Sequence, residues 1–211
     1  MAEIENLIDG YQRFYQKYFT SGDTLYQGLA KAGQSPKTLI IACSDARVDP
    51  SIITNAEPGD IFVVRNVANL VPTYEVGDHG QHGVSAALEF AVCVLQVKHI
   101  VVLGHTHCAG IQTLVSANGI QDTDFIGKWM DIAKSAKEKA IQQCQPNDSE
   151  HNIQHICEKE AIQLSLHNLL TFPWIRKKVE EGWLTLHGWY FSLSDGSLQQ
   201  FNPNNASFER I

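Results

Sequence analysis

Three short runs constrain this chain more than anything else in it: TLIIACSD at 38–45, IFVVRNV at 61–67 and HIVVLGHT at 99–106. Each contains an unbroken apolar stretch, LIIAC, IFVV and IVVL, rich in β-branched residues, so neither face of the strand it would form can be left to water. Strands of that kind belong to a parallel sheet with helices covering both sides. The segments between and around them carry the helices. Val84, Ala87, Leu88, Ala91, Val94 and Leu95 recur at helical spacing, as do Ile4, Leu7, Tyr11, Phe14, Tyr15 and Tyr18 in the first twenty residues. Further helices are expected from Cys108 onward, within 121–150, over CEKEAIQLSLHNLL, and from a Thr171 cap through Pro173 to about Glu181 before Gly182. WLTLHGWYFSL at 183–193 reads as a last long strand, followed by an Asp195-Gly196 turn. Without repeats, linkers or low-complexity tracts, the expectation is one α/β domain over 1–211. It has a mainly parallel central sheet flanked by helices and, over 1–22, an N-terminal helical arm whose aromatics cover the core or a second subunit.

Sixteen Lys and Arg against twenty-three Asp and Glu leave a net charge of −7. An acidic surface with no basic block argues against a nucleic-acid partner. No stretch approaches the length of a membrane helix, and the polar, acidic start carries no apolar export signal, so a cytoplasmic protein is expected. Five cysteines outside a secreted context point to metal or thiol chemistry rather than a disulfide framework. Cys93, within EFAVCVLQV, reads as a small buried hydrophobe.

Chemistry concentrates where two of the strands end. In extended chain, Cys43, Asp45 and Arg47 of CSDAR lie on one face about 6–7 Å apart at each step, while Ser44 and Ala46 look away. GHTHCAG at 104–110 holds His105-x-x-Cys108, a spacing that can place two ligands on one metal. Ligands in open α/β sheets bind beyond the carboxyl ends of the strands, so the two motifs can meet there. Cys43, His105 and Cys108 form a Cys2His set suited to Zn2+, with a fourth position left for water. His107 is the less suitable donor because residues adjacent in sequence chelate poorly. A helix starting near Cys108 favours its thiolate. The glycines of GDHGQHG do not have dinucleotide-binding spacing, and the arginine of CSDAR comes too early for a phosphate cradle.

CSDAR followed by GHTHC resembles the β-class carbonic anhydrases, whose hallmark is CxDxR with HxxC. The likeness extends to GQSPK, EPGDIFVVRNVANLVP, SAALEFAV, CEKEAIQLSLHNLLTFP and LHGWY, covering roughly residues 24–193. The resemblance implies reversible hydration of CO2 to bicarbonate and a proton, with one Zn2+ per subunit on Cys43, His105 and Cys108 and hydroxide as nucleophile. It implies a paired dyad of Asp45 and Arg47, and a substrate pocket with Gln34, Phe62 and Val67 in the manner of the plant-like branch. It also implies a dimer or higher homo-oligomer, with N-terminal helices reaching the partner and the pocket at the subunit interface. In that scheme Arg47 keeps Asp45 ionised, and Asp45 accepts a hydrogen bond that aims the nucleophile at CO2.

Three departures from the family pattern stand out. Ala109 replaces the usual first glycine after the second cysteine, and its amide remains available to an anion. Phe90 stands where plant-like members often carry tyrosine. Some members are switched off by bicarbonate at a separate site built on a tryptophan, an arginine and a tyrosine; the matching positions here are Ile40, Arg65 and Phe191. Only the arginine remains, which implies an open, non-allosteric site. His79 and His82 read as solvated loop histidines. Two alternatives stay open on the residues alone: the same scaffold hydrolysing a sulfur analogue of CO2, and a non-catalytic zinc or thiol sensor in which Asp45 closes the site as a fourth ligand.

Overall fold

The computed structural model describes residues 2–22, 24–75, 82–116, 119, 123–145 and 149–211, so the expected loop histidine His79 lies outside the described residues. The chain groups into two compact units, residues 1–35 and 36–211.

In the first unit, helix α1 (Ala2–Tyr15) continues through a wider π turn over Gln16–Thr20, and α2 (Leu25–Ala32) follows. Phe14 packs edge-on against Tyr26 at 5.2 Å, and Tyr15 stacks on Phe19 at 5.5 Å. These aromatic contacts hold the unit's turn, because none of the buried residues lies in α2 or the π turn. Ile4, Leu7, Ile8 and Tyr11 stay exposed along α1.

The second unit is built on a six-stranded sheet in the order β2-β1-β3-β4-β5-β6. The strands are β1 (Thr38–Cys43), β2 (Ile61–Asn66), β3 (His99–His105), β4 (Thr185–Phe191), β5 (Leu198–Asn202) and β6 (Ser207–Arg210). The first four run parallel, as their two-sided apolar pattern requires, and the last two are antiparallel. In chain order the helices are α3 (Pro50–Thr54), α4 (Gly83–Glu89), α5 (Ala109–Val115), α6 (Ile126–Met130), α7 (Lys134–Gln143), α8 (Glu150–Leu169) and α9 (Pro173–Glu180). Leu39, Ile41, Ile100 and Val102 of the central strands are fully buried in one core with Ile162 of α8 and Ile175 of α9. Each such side chain contributes about 1.5–3 kcal/mol.

Helix α8 lies close on the sheet because β3 and β4 present glycines beneath it. A Cβ on Gly104 would come within 2.7 Å of Ile162 Cδ1, and one on Gly188 within 2.9 Å of Ile162 Cγ2. Those two glycines set the depth of α8, and with it the position of every α8 side chain that faces the carboxyl ends of the strands.

Four expectations need correction. Past Cys43 the chain is not extended: the Val48 amide donates to the Asp45 carbonyl at 3.1 Å, closing a turn. Thr171 does not cap α9. Its hydroxyl donates to the Asn168 carbonyl at 2.6 Å and accepts the Tyr74 amide, and Phe172 precedes Pro173 as the cap residue. Cys93 and Val94 are exposed, not buried. The α4 helix widens into a π turn over Phe90–Val94, and that turn breaks the 3.6-residue period on which their burial was read. Finally, β5 and β6 extend the sheet beyond the Asp195-Gly196 turn.

Candidate active site

Cys43 is the last residue of β1 and His105 the last of β3, and these strands are hydrogen-bonded neighbours. Parallel pairing brings both ends to the same edge. The chain then turns at His107, whose φ is 58°, and delivers Cys108 as the residue before α5. One nitrogen of His105 and the sulfurs of Cys43 and Cys108 all lie within 4.8 Å of one another, and all three residues are buried.

The donor set fits zinc on three counts. The two sulfurs are 3.9 Å apart, and tetrahedral coordination with Zn–S bonds of about 2.3 Å requires about 3.8 Å. His105 Nδ1 lies 2.8 Å from the Thr106 carbonyl oxygen and therefore carries the ring hydrogen. That leaves Nε2 as a lone pair, buried and without a hydrogen-bond partner, the state of a histidine poised to ligate. His107 lies outside this cluster, its ring stacked on His151 with centroids 5.2 Å apart.

The two thiols also polarise each other. The hydrogen bond shared between the two sulfurs favours ionisation of Cys43 against the cost of burial. Cys108 is pushed upward by the same bond.

Asp45 borders this cluster, with Oδ2 4.0 Å from His105 Nε2. Arg47 grips it twice over: Nε donates to Oδ1 at 2.9 Å and Nη2 to Oδ2 at 2.7 Å, with the Arg47 amide also on Oδ1. These hydrogen bonds hold the carboxyl well below the usual carboxylate range. Arg47 Nη2 also donates to the His107 carbonyl at 3.1 Å, tying the CSDAR turn to the HTHC turn.

Arg65 does structural work that its place in a strand did not suggest. It donates to the carbonyls of Cys43 (3.0 Å) and Asp45 (2.7 Å) and to Asp49 Oδ2 (3.0 Å), bracing the turn from behind. An arginine directly after the apolar IFVV was the available signal. Ile40 is fully buried among Ala42, Val101 and Leu103, and offers no polar group to an anion.

The expected pocket residues divide. Val67 packs beside the first turn of α5, where a Cβ on Gly110 would meet its Cγ1 at 2.8 Å. Ala109 is exposed as the first residue of that helix, so its methyl group is accommodated. Phe62 and Phe90 contact each other at 5.9 Å, yet Phe62 pairs with Leu39, four residues before Cys43. That offset is about 13 Å along the strand. One chain therefore does not bring the two rings to the cluster of Cys43, His105 and Cys108. Gln34 is exposed in the first unit.

A family model described as carbonic anhydrase matches residues 38–198. The chain is 44% identical over 183 residues to the chloroplastic beta carbonic anhydrase 5 of Arabidopsis thaliana, covering 86% of this chain and 59% of that protein's length. The solved structure of the beta-carbonic anhydrase CcaA superposes with a TM-score of 0.92 at 32% identity, covering all of this chain and 93% of that one. One of two tetrameric beta-carbonic anhydrases from the ascomycete Sordaria macrospora superposes at 0.75, with 27% identity and coverage of 95% and 94%. With the hallmark residues assembled at one sheet edge and these likenesses spanning nearly all of it, the chain belongs to the β-carbonic anhydrase family.

Proposed function

We propose that this chain is a zinc lyase that interconverts CO2 with bicarbonate and a proton. The observation that carries the reading is the buried Cys43, His105 and Cys108 triad with an Arg47-locked carboxylate of Asp45 at its border. Cys43, His105 and Cys108 would hold the ion. Zinc when bound lowers the pKa of a water molecule from 15.7 to about 7 and so supplies a nucleophile at neutral pH.

The remaining work falls to side chains. Asp45 Oδ2 accepts the nucleophile's hydrogen and directs its lone pair towards the carbon of CO2. Arg47 keeps Asp45 ionised and fixed in one rotamer, since a bidentate fork leaves the carboxylate no freedom to turn onto the metal. An Asp45 held in this way disfavours the closed, non-catalytic alternative. Val67, Phe62 and Phe90 supply apolar wall for CO2, and the Ala109 amide supplies a donor to bicarbonate.

The chain works as a homo-oligomer, in which a second copy brings its Phe62 and Phe90 to the pocket. Their separation from the metal ligands within one chain, the exposed apolar face of α1 and the tetrameric assembly of the Sordaria macrospora proteins support this. Among the described residues no helix is long and apolar enough to cross a membrane. With no disulfide among its five cysteines, the chain suits a reducing compartment such as the cytoplasm.

The test is zinc content per chain together with stopped-flow CO2 hydration. The wild-type protein should hold one zinc per chain and hydrate CO2; Cys43→Ala should lose both. A Cys43→Ala protein with full activity would refute the assignment.

A further inference from the structure

Two of the three metal ligands are held by sheet hydrogen bonds, and the third is not. Cys43 and His105 end β1 and β3, whereas Cys108 follows a turn with a positive φ at His107. Glu158, from the middle of α8, meets that third ligand. Its Oε1 accepts the Cys108 amide hydrogen at 2.9 Å, and the side chain is 4% exposed.

A carboxylate so deeply buried is costly unless its oxygens are satisfied. Here they are, by neutral donors: Gln154 Nε2 at 2.9 Å on Oε1 and the Tyr190 hydroxyl at 2.6 Å on Oε2. Among the described residues no Lys or Arg forms an ion pair with it. Gln154 also reaches the Cys108 carbonyl at 3.3 Å, so α8 grips the residue at both its amide and its carbonyl. Tyr190, on β4, is itself buried and lies 3.0 Å from His155 Nδ1. The clamp is thus tied to both the helix and the sheet.

We propose that Glu158 is a positioning residue for the metal centre: it fixes the Cys108 backbone, and hence the direction of its sulfur, by taking the place of the ladder hydrogen bonds that hold the other two ligands. The inference rests on the zinc reading and goes beyond it, because it assigns to α8 the precision of a ligand set that β1, β3 and the 106–108 turn supply.

The experiment is zinc affinity by competition with a chromophoric chelator, alongside the absorption spectrum of the Co2+-loaded protein, for wild type, Glu158→Ala and Glu158→Gln. Groups that orient metal ligands typically cost about 10–100-fold in affinity when removed, and that is the loss expected for Glu158→Ala, with shifted Co2+ bands. Glu158→Gln keeps an oxygen for the Cys108 amide and should restore both the wild-type spectrum and most of the affinity. A folded Glu158→Ala with wild-type affinity and spectrum would overturn the proposal. If Glu158→Ala does not fold, Gln154→Ala decides: a several-fold loss of affinity with altered bands supports the clamp, and unchanged values sink it. A wild-type chain that binds no zinc would refute the metal reading itself, which separates the two failures.

Discussion

Arg47 holds Asp45 by both carboxylate oxygens, at 2.9 Å and 2.7 Å, while Asp45 Oδ2 stands 4.0 Å from the unpartnered nitrogen of His105. On the proposed reading the pair separates metal binding from catalysis, since neither member belongs to the donor triad. Asp45→Asn should therefore retain zinc and lose about 10²-fold or more in kcat/KM, as the amide cannot hold the nucleophile's hydrogen as a carboxylate does. Arg47→Ala should behave similarly. Arg47→Lys should recover only part of the activity, because an ammonium cannot span both oxygens. Metal content and stopped-flow rates on the same preparations check this; zinc loss in Asp45→Asn would place the residue among the ligands instead.

Arg65 supports the same turn from the other side, bonding the carbonyls of Cys43 and Asp45 and the carboxylate of Asp49. Arg65→Leu leaves these acceptors without their donor, at about 1–3 kcal/mol for each that water cannot reach. The expected outcome is a lower unfolding midpoint and reduced kcat with zinc still bound. Urea unfolding followed by rate measurement tests it, and wild-type stability would show that the brace carries no weight.

The two residues after Cys108 should respond to substitution to different degrees. A methyl at Gly110 would come within 2.8 Å of Val67 Cγ1 and 3.2 Å of Ala68 Cβ, so Gly110→Ala must displace either the Val67 side chain or the start of α5. Overpacking of this kind costs about 1–3 kcal/mol and here would also disturb Cys108. Ala109 is exposed, and Ala109→Gly should shift stability by less than about 1 kcal/mol. Thermal unfolding of the two variants distinguishes them.

How much of this was legible in the sequence depended on how local the physics was. The clustering of Cys43, His105 and Cys108 could be foreseen because metal chemistry needs particular donor atoms, and strand ends are read from apolar runs. Asp45 and Arg47 were paired correctly, although the extended-chain geometry invoked for them is replaced by a turn closed between Asp45 and Val48. The clamp of Glu158 on Cys108 was out of reach, since it depends on how deep α8 sits over Gly104 and Gly188. Cys93 was misplaced because one π turn shifts a helical face without leaving a mark in residue type. The edge strands β5 and β6 were missed because they are short and only half-buried, so they show no clear alternation.

The last prediction concerns the pH profile. Regulation by a separate bicarbonate site requires polar groups that can receive the anion and then release Asp45 from Arg47. At the three positions concerned, Ile40 is buried in apolar surroundings, Phe191 has no hydroxyl, and Arg65 is committed to Cys43, Asp45 and Asp49. An anion would have to strip Arg65 from the turn it braces, leaving those acceptors unsatisfied. Asp45 should thus stay with Arg47 across the neutral range. Because its carboxyl is held below the usual range, the pair persists as pH rises and is lost only in strong acid, on the side opposite to an alkaline activation. The kcat/KM profile should then follow a single ionisation near about pH 7, the value to which zinc brings a water molecule. Added bicarbonate should inhibit only as a product does. The measurement is a pH–rate profile from pH 6 to 9 with and without bicarbonate, on wild type and Arg65→Lys. A steep, cooperative loss of activity below about pH 8, deepened by bicarbonate and relieved in Arg65→Lys, would mean that Arg65 does let go of the turn and that the site closes.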